Sequence, residues 1–366
     1  MTIVGDMSSI FIIARILGCA AHSSAENDIK TRTRRNVVFV AFSMILYLSS
    51  FVLLSIHVIK FETSNLMTAF FVLTRVALIY SCVFTDACLT TLWNRKIRIV
   101  LSHLRSFDRI TNFDNSSRRG TVRHICRALS FITLMYWTLT GYLSYRYGFQ
   151  QGVEAIAPLL RGTIYAIIDA SLFTQILIFI CFSFLIAERF RQLCNILTFS
   201  AGEKIILDLH RLDTRFTLQQ IWQLHCYLVN ATEMLNSVYA VQLLLWISTL
   251  SFNSMSRIYT MNVFQLTKDA LIRDSTIVFV CGWHLFLITA ICHATARQAN
   301  RVGEIIFSPS SSVSTKGVSL QKNLEVVGYF QLRKVHFFTV AGFVRVDLPL
   351  LLSIISGMTT YLVIVC

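Results

Sequence analysis

A chain of 366 residues that is 55% hydrophobic and only 14% charged, with a mean hydropathy of +0.62, has too many apolar side chains for an all-aqueous surface. The surplus must face lipid. The formal charge of +14 would suit nucleic acid in a soluble protein, but here the basic residues are segregated by loop, and the partner they point to is the lipid bilayer, not nucleic acid.

The first apolar stretch, residues 8–21, is short and interrupted by Arg15, and the charge cluster follows it instead of preceding it. This is not the pattern of a cleavable signal, and it reads as an amphipathic or re-entrant helix on the cytoplasmic side. Seven windows of about 20 residues, almost free of charge, come next: 37–59, 66–92, 127–147, 164–187, 238–263, 277–294 and 348–366. Each is long enough for a helix to cross about 30 Å of hydrocarbon, and lipid leaves backbone groups no partner except within a helix or a closed barrel. Proline is scarce, with three in the chain, so few kinks are forced. The fold class expected is all-α: a polytopic membrane protein with seven transmembrane helices.

Orientation follows from the loops. The arm before the first window and the loops after the second, fourth and sixth carry about 25 Lys and Arg, against about six on the other side: Lys60, Arg146, Arg161, Arg257, Lys268 and Arg273. Positive residues stay inside, so the N-terminus is expected in the cytoplasm and the C-terminus outside. Two glycosylation sequons, at Asn115 and Asn230, then fall on the cytoplasmic side and should be silent. The organisation expected is a cytoplasmic segment 1–36, six spans with cytoplasmic helical extensions over 37–294, a cytoplasmic loop and helix over 295–347, and a terminal span over 348–366. Within 193–236 apolar residues recur at three- and four-residue steps (Ile205, Leu209, Leu212 and Phe216, then Ile221, Leu224 and Leu228), as helices do. Residues 303–321 read as a flexible stretch.

The ten cysteines show no CxxC pair and no external set, so no disulfide framework is expected. Cys281, His284, Cys292 and His293 share the sixth window, where thiols and imidazoles read as packing residues in preference to a metal site. No nucleotide loop or nucleophile elbow is present, and the chain is read as neither an enzyme nor a cofactor carrier.

Ionisable groups inside spans are costly and tend to be functional. Arg75 and Asp86 sit eleven residues apart in the second window, on one helix face and roughly 16 Å apart along the axis. Asp169 lies in the outer half of the fourth window at a depth like that of Arg75. An Arg75–Asp169 pair would relieve both charges, either as a bundle-stabilising pair or as part of a polar ligand pocket. Tyr142, Tyr145, Tyr165, Phe173, Asn253 and Trp283 occupy the same outer half and are the other pocket candidates; each aromatic among them also suits core packing or an interface belt.

The seventh window opens with Asp347 and Pro349, a cap and a first-turn proline. Ser353, Ser356, Gly357 and Thr360, with Ile364 one turn further, then make a narrow stripe of small and polar residues. Such a stripe suits a close helix–helix seam or, in a symmetric oligomer, an axial water path closed by an apolar ring.

Residues 337–366, FFTVAGFVRVDLPLLLSIISGMTTYLVIVC, resemble the C-terminal signature of insect gustatory receptors, relatives of the insect odorant receptors. The matching positions are Gly342, Phe343, Asp347, Leu350, Leu351, Thr360 and Tyr361, with the aliphatic run Leu362–Val365 behind them. FIIARILGCAA near the N-terminus is similar to the family's opening segment. The family's usual Gln-Phe ending is absent, and this sequence stops at Cys366. The resemblance implies a tastant-gated, non-selective cation channel passing monovalent and divalent cations. It implies a homo- or heterotetramer with related subunits in the plasma membrane of gustatory neurons. Ser353, Gly357, Thr360 and Ile364 would face the pore, Tyr361 would pack sideways, and the outer halves of the second to sixth spans would bind the tastant. Sugar-receptor-like members carry an acidic residue after Thr-Tyr; Leu362 stands there, which favours bitter or unassigned tastants.

Among other seven-helix or polytopic classes, a G-protein-coupled receptor needs an external N-terminus and an Asn-Pro-x-x-Tyr motif, which the sequence lacks; Asp108-Arg109-Ile110 resembles only a fragment of its signature and lies in a loop. A transporter would show repeats or broken spans.

Overall fold

The computed structural model describes residues 8–17, 29–61, 66–92, 94–111, 113, 118–150, 156–201, 218–263, 267–306, 324–339 and 342–365. In chain order the helices are α1 (Ser8–Ile16), α2 (Ile29–Phe61), α3 (Leu66–Leu92), α4 (Asn94–Thr111), α5 (Arg118–Gln150), α6 (Ile156–Ala201), α7 (Leu218–Val263), α8 (Lys268–Ile306), α9 (Leu324–Leu332) and α10 (Leu348–Val365). The described residues contain no strand, only an isolated bridge between Phe338 and Arg345. The chain is an all-α polytopic membrane protein.

Helices run well past the apolar windows. At 46 residues α6 is roughly 69 Å long, more than twice the hydrocarbon thickness. Hydropathy ends where water begins, but the helical hydrogen-bond ladder does not have to. One end of the bundle holds the C-terminal ends of α2, α5 and α7 and the N-terminal ends of α3, α6 and α8; we call it the turn end. The opposite end, where α4 and the extensions of α6, α7 and α8 pack together, is the base. Of the residues expected helical near the base, Ile221, Leu224 and Leu228 are buried on α7, whereas Ile205, Leu209, Leu212 and Phe216 lie outside the described residues. Residues 303–306 end α8, and 307–321 also lie outside them.

α6 is the central post. Its apolar window is 94% buried, against 39% for that of α8, so its side chains pack on neighbours all round while the outer helices keep a lipid face. On α2 the buried residues Val40, Ser43, Tyr47, Ser50 and Leu54 step by three and four along one stripe, and Phe42, Leu46, Leu53 and Ile56 are exposed on the other. The stripe is pinned to its neighbours by polar contacts: the Tyr80 hydroxyl donates to Ser50 Oγ at 2.8 Å, and the Tyr47 hydroxyl bonds Ser171. α1 lies on α5 and α6 with Ile10 and Ala14 buried and Ile12 and Ile16 exposed, an amphipathic helix as its sequence suggests.

α5 and α6 pack more extensively on one another than any other pair, and glycines set their separation. A Cβ on Gly162 would stand 2.9 Å from the Gly141 carbonyl oxygen and 3.1 Å from the Tyr145 nitrogen, both backbone atoms that cannot rotate aside. Gly162→Ala is therefore expected to destabilise the receptor by about 1–3 kcal/mol. A lower melting temperature of the detergent-purified protein is the readout, and an unchanged one would show that the two helices slide apart freely.

The segment before α10 folds back on itself. Thr339 N–H donates to the Val344 carbonyl at 2.9 Å and Val346 N–H to that of Phe337 at 2.9 Å. The turn needs a φ of 72° at Gly342, a left-handed conformation that side chains disfavour. This is a physical reason for glycine at that position of the motif. Asp347 Oδ1 then accepts the Leu350 N–H at 3.3 Å and caps α10.

Candidate ligand site in the turn half of the bundle

Most of the ionisable side chains in the membrane-spanning part converge in the turn half. Arg75 on α3, Asp169 on α6, Arg257 on α7, and Arg273 and Asp274 on α8 make one electrostatic cluster. Its tightest element is a buried pair between Arg257 and Asp274, which are 8% and 3% exposed. Arg273 Nε donates to the same carboxylate at 2.8 Å, so two guanidinium groups share Asp274. Arg257 Nε also donates to Asn253 Oδ1 at 3.2 Å, and Asn253 Nδ2 reaches Cys281 Sγ at 3.5 Å.

The pair anticipated from the sequence, Arg75 with Asp169, does not form. Asp169 feels the charge of Arg257 more than that of Arg75, and neither Arg75 nor Asp169 has a hydrogen-bond or ion-pair partner among the described residues. Depth along a helix can be counted from residue number, but the facing direction depends on how the helices rotate against one another. Arg257, six residues from the end of α7, and Asp274, six residues into α8, lie at matching heights across one turn. From the sequence Arg257 counts only among the basic residues of the outer side, and Asp274 is not singled out; the signal that finds them is a charge inside or just beside an apolar window.

Aromatic residues surround part of the cluster. Phe173 is buried, stacks on His284 with centroids 4.2 Å apart and meets Tyr136 edge-on at 5.5 Å. His284 Nδ1 is 2.8 Å from the Val280 carbonyl oxygen, so its imidazole is tied to its own helix. Tyr165 is half-buried and packs against the apolar cluster that holds Tyr80. Tyr145 is half-buried at the α5–α6 crossing. Tyr142 and Trp283 are not brought to the cluster: they are 56% and 45% exposed on the outside of the bundle, where a lipid interface belt would have them. Asp86 belongs elsewhere too. Its carboxylate accepts from Gln242 Nε2 at 2.9 Å and Trp246 Nε1 at 3.2 Å, tying α3 to α7 nearer the base.

α10 packs on α8 and α7 through Leu350, Leu351 and Ile354. Ser353, Ser356, Gly357 and Thr360 are all exposed, pointing away from the rest of the chain, and Tyr361 is half-buried. The side chain of Ile364 lies outside the described residues. Ser353 and Thr360 hydroxyls donate to the carbonyls of Pro349 and Ser356 at 3.1 and 2.9 Å, so they stay satisfied without a neighbouring helix. Space is open beside Gly357.

The family model described as 7tm Chemosensory receptor matches residues 7–366. The chain belongs to this family. The whole architecture is shared with solved structures of the insect olfactory receptor OR5 from Machilis hrabei. Its complex with eugenol gives a TM-score of 0.76 at 14% identity, covering 98% of this chain and 97% of that one. The OR5 structure described without a ligand gives 0.75 at 14% identity, covering 98% and 96%. At that identity the likeness concerns the fold. A search of curated proteins finds no match.

Proposed function

We propose that this chemosensory receptor is a gustatory receptor: a tastant-gated, non-selective cation channel of four subunits in the plasma membrane of gustatory neurons. The chain's N-terminus lies in the cytoplasm, the turn end faces outside and the base faces the cytosol. α10 from each subunit lines a central pore through Ser353, Ser356, Gly357, Thr360 and Ile364. The observation that carries this reading is the stripe on α10. Small and polar residues on the last helix of an otherwise lipid-facing protein are exposed away from their own subunit, a surface that suits copies around an axis. The Gly342, Phe343, Asp347, Thr360 and Tyr361 motif favours the gustatory branch over an odorant-receptor-type subunit. Leu362 favours a bitter or unassigned tastant over a sugar.

The tastant acts in the turn half, where Arg75, Tyr165, Asp169, Phe173 and Asn253 lie; of the helices that carry them α7, with Asn253, packs on α10. α8 and α7 carry Arg257, Arg273 and Asp274 at one end and pack on α10, so a ligand that favours one arrangement of them shifts the pore equilibrium by its differential affinity. The test is a patch recording from cells expressing the chain during a panel of bitter compounds, sugars and volatile odorants. A current evoked by non-volatile bitter compounds supports the assignment. A current evoked only by volatiles moves the protein to the odorant type, and one evoked by sugars overturns the weight placed on Leu362.

A further inference from the structure

On α4 the exposed residues Arg95, Arg98, Ser102, Arg105 and Arg109 recur at steps of three and four, so four arginines stand in one row down one side of the helix. The opposite side is committed to the bundle: Ile97, Val100, Leu101, Leu104 and Phe107 are buried, so α4 has no apolar face left for lipid. The one acid of the helix, Asp108, is turned inward to Arg189. None of the four arginines in the row has an ion-pair or hydrogen-bond partner among the described residues. The row starts at a membrane surface. α3 has 27 residues, about 40 Å of helix, which carries the chain from the turn end through the hydrocarbon into the headgroup layer on the base side, and α4 opens two residues later. From there α4 runs away from the bilayer, because it lies antiparallel on α7: Lys96 Nζ donates to Ser237 Oγ at 2.9 Å, and further down His103 meets Tyr227 with ring centroids 5.9 Å apart. Arg95 and Arg98 therefore stand at headgroup height, about 4.5 Å apart along the axis, with Arg105 and Arg109 about 15 and 21 Å below Arg95.

We propose that Arg95 and Arg98 hold the headgroup of a polyphosphorylated inositol lipid in the base-side leaflet. A monoester phosphate carries nearly two negative charges and takes a guanidinium fork in two parallel hydrogen bonds, so two such phosphates on one ring match two arginines one turn apart. A phosphatidylserine headgroup supplies only one anionic group beyond its ammonium. The bilayer beside the row also holds such a lipid at the height of the two upper arginines, which favours it over a soluble acidic partner. The lower pair is further from the headgroup than the screening length of about 8 Å and adds little. The site is separate from the tastant site, and it needs only that the base end adjoins the bilayer; that this leaflet is the cytosolic one rests on the orientation proposed above.

The test uses the full-length receptor in neutral detergent, where neither its orientation nor its conductance enters the readout. Its melting temperature is titrated with dioctanoyl phosphatidylinositol bisphosphate, dioctanoyl phosphatidylserine, dioctanoyl phosphatidylcholine and free inositol trisphosphate. The inositol lipid is expected to stabilise the receptor most, phosphatidylserine less and phosphatidylcholine not at all, with free inositol trisphosphate weaker than the lipid. Arg95→Gln with Arg98→Gln should weaken the inositol lipid about 10- to 30-fold, and Arg105→Gln with Arg109→Gln no more than about 3-fold. All four side chains are exposed, so both double variants should melt like wild type without lipid. Equal stabilisation by phosphatidylcholine, or none by the inositol lipid, would overturn the assignment. Equal losses from the two arginine pairs would also overturn it, pointing to an acidic polypeptide laid along the whole row, and free inositol trisphosphate acting as strongly as the lipid would replace the lipid by a soluble phosphate. A receptor that binds the lipid in this graded way keeps the assignment even if it carries no tastant-evoked current.

Discussion

Replacing Asp108 by Ala is expected to cost about 3–5 kcal/mol, enough to remove most of the receptor from the folded pool. Asp108 on α4 and Arg189 on α6 form a two-point ion pair, Nε to Oδ1 and Nη2 to Oδ2, both at 2.7 Å. The side chains are only 5% and 3% exposed. Arg189 Nη1 donates to the Leu185 carbonyl at 2.8 Å, and its guanidinium carbon lies 4.7 Å from the centre of the Phe113 ring. Each guanidinium nitrogen makes one of these bonds, and deleting the carboxylate strands a charge that cannot be neutralised by deprotonation. Loss of the receptor's monodisperse peak on size exclusion, with a lower melting temperature, is the readout. Removing both partners, as in Asp108→Leu with Arg189→Met, should recover much of the loss, because apolar replacement of a buried pair is often neutral. A single mutant as stable as wild type would mean that water reaches this pair.

Asp274→Asn should be the most damaging change in the turn half. It leaves Arg257 and Arg273 without their shared carboxylate in a low-dielectric setting, an expected cost of about 3–5 kcal/mol. Asp169 is the other carboxylate that feels the charge of Arg257, so it should take over part of the load. The two acids are thus coupled. Asp169→Asn alone should cost less than Asp274→Asn, and the double mutant should lose more than the two single losses added together. Melting temperatures of the four proteins in the cycle give the coupling directly. Strict additivity would show that Asp169 and Asp274 do not share Arg257.

Much of this was legible in the sequence because lipid imposes strong rules. The apolar windows sit inside long helices, the α1 pattern gives an amphipathic helix, and Asp347 with Pro349 opens α10. Less legible were features decided by helix rotation. Arg75 and Asp169 were placed at similar depth, yet Asp169 feels the charge of Arg257 more, and Arg257 pairs with Asp274. Tyr142 and Trp283 share the depth of the cluster but point outward. Hydropathy also said little about α4, whose mixture of charge and apolar residues belongs to an amphipathic helix: Ile97, Val100, Leu101, Leu104, Phe107 and Asp108 are buried along one face. The fragment Asp108-Arg109-Ile110, read as lying in a loop, is in that helix, and Asp108 is its anchor to α6. The glycine of the C-terminal motif was legible as a pattern, and the φ of 72° supplies its reason.

The most direct test of the central claim is to label the stripe on α10 while current flows. Thr360→Cys is expressed in a Cys366→Ser background, and a positively charged methanethiosulfonate is applied from outside during a tastant response with G-protein signalling blocked in the pipette. The account predicts that a cation current persists under the block and falls irreversibly on labelling, faster with tastant than without, while the Cys366→Ser parent is unaffected. Disappearance of the current under the block, or a Thr360→Cys current indifferent to the reagent, would contradict it.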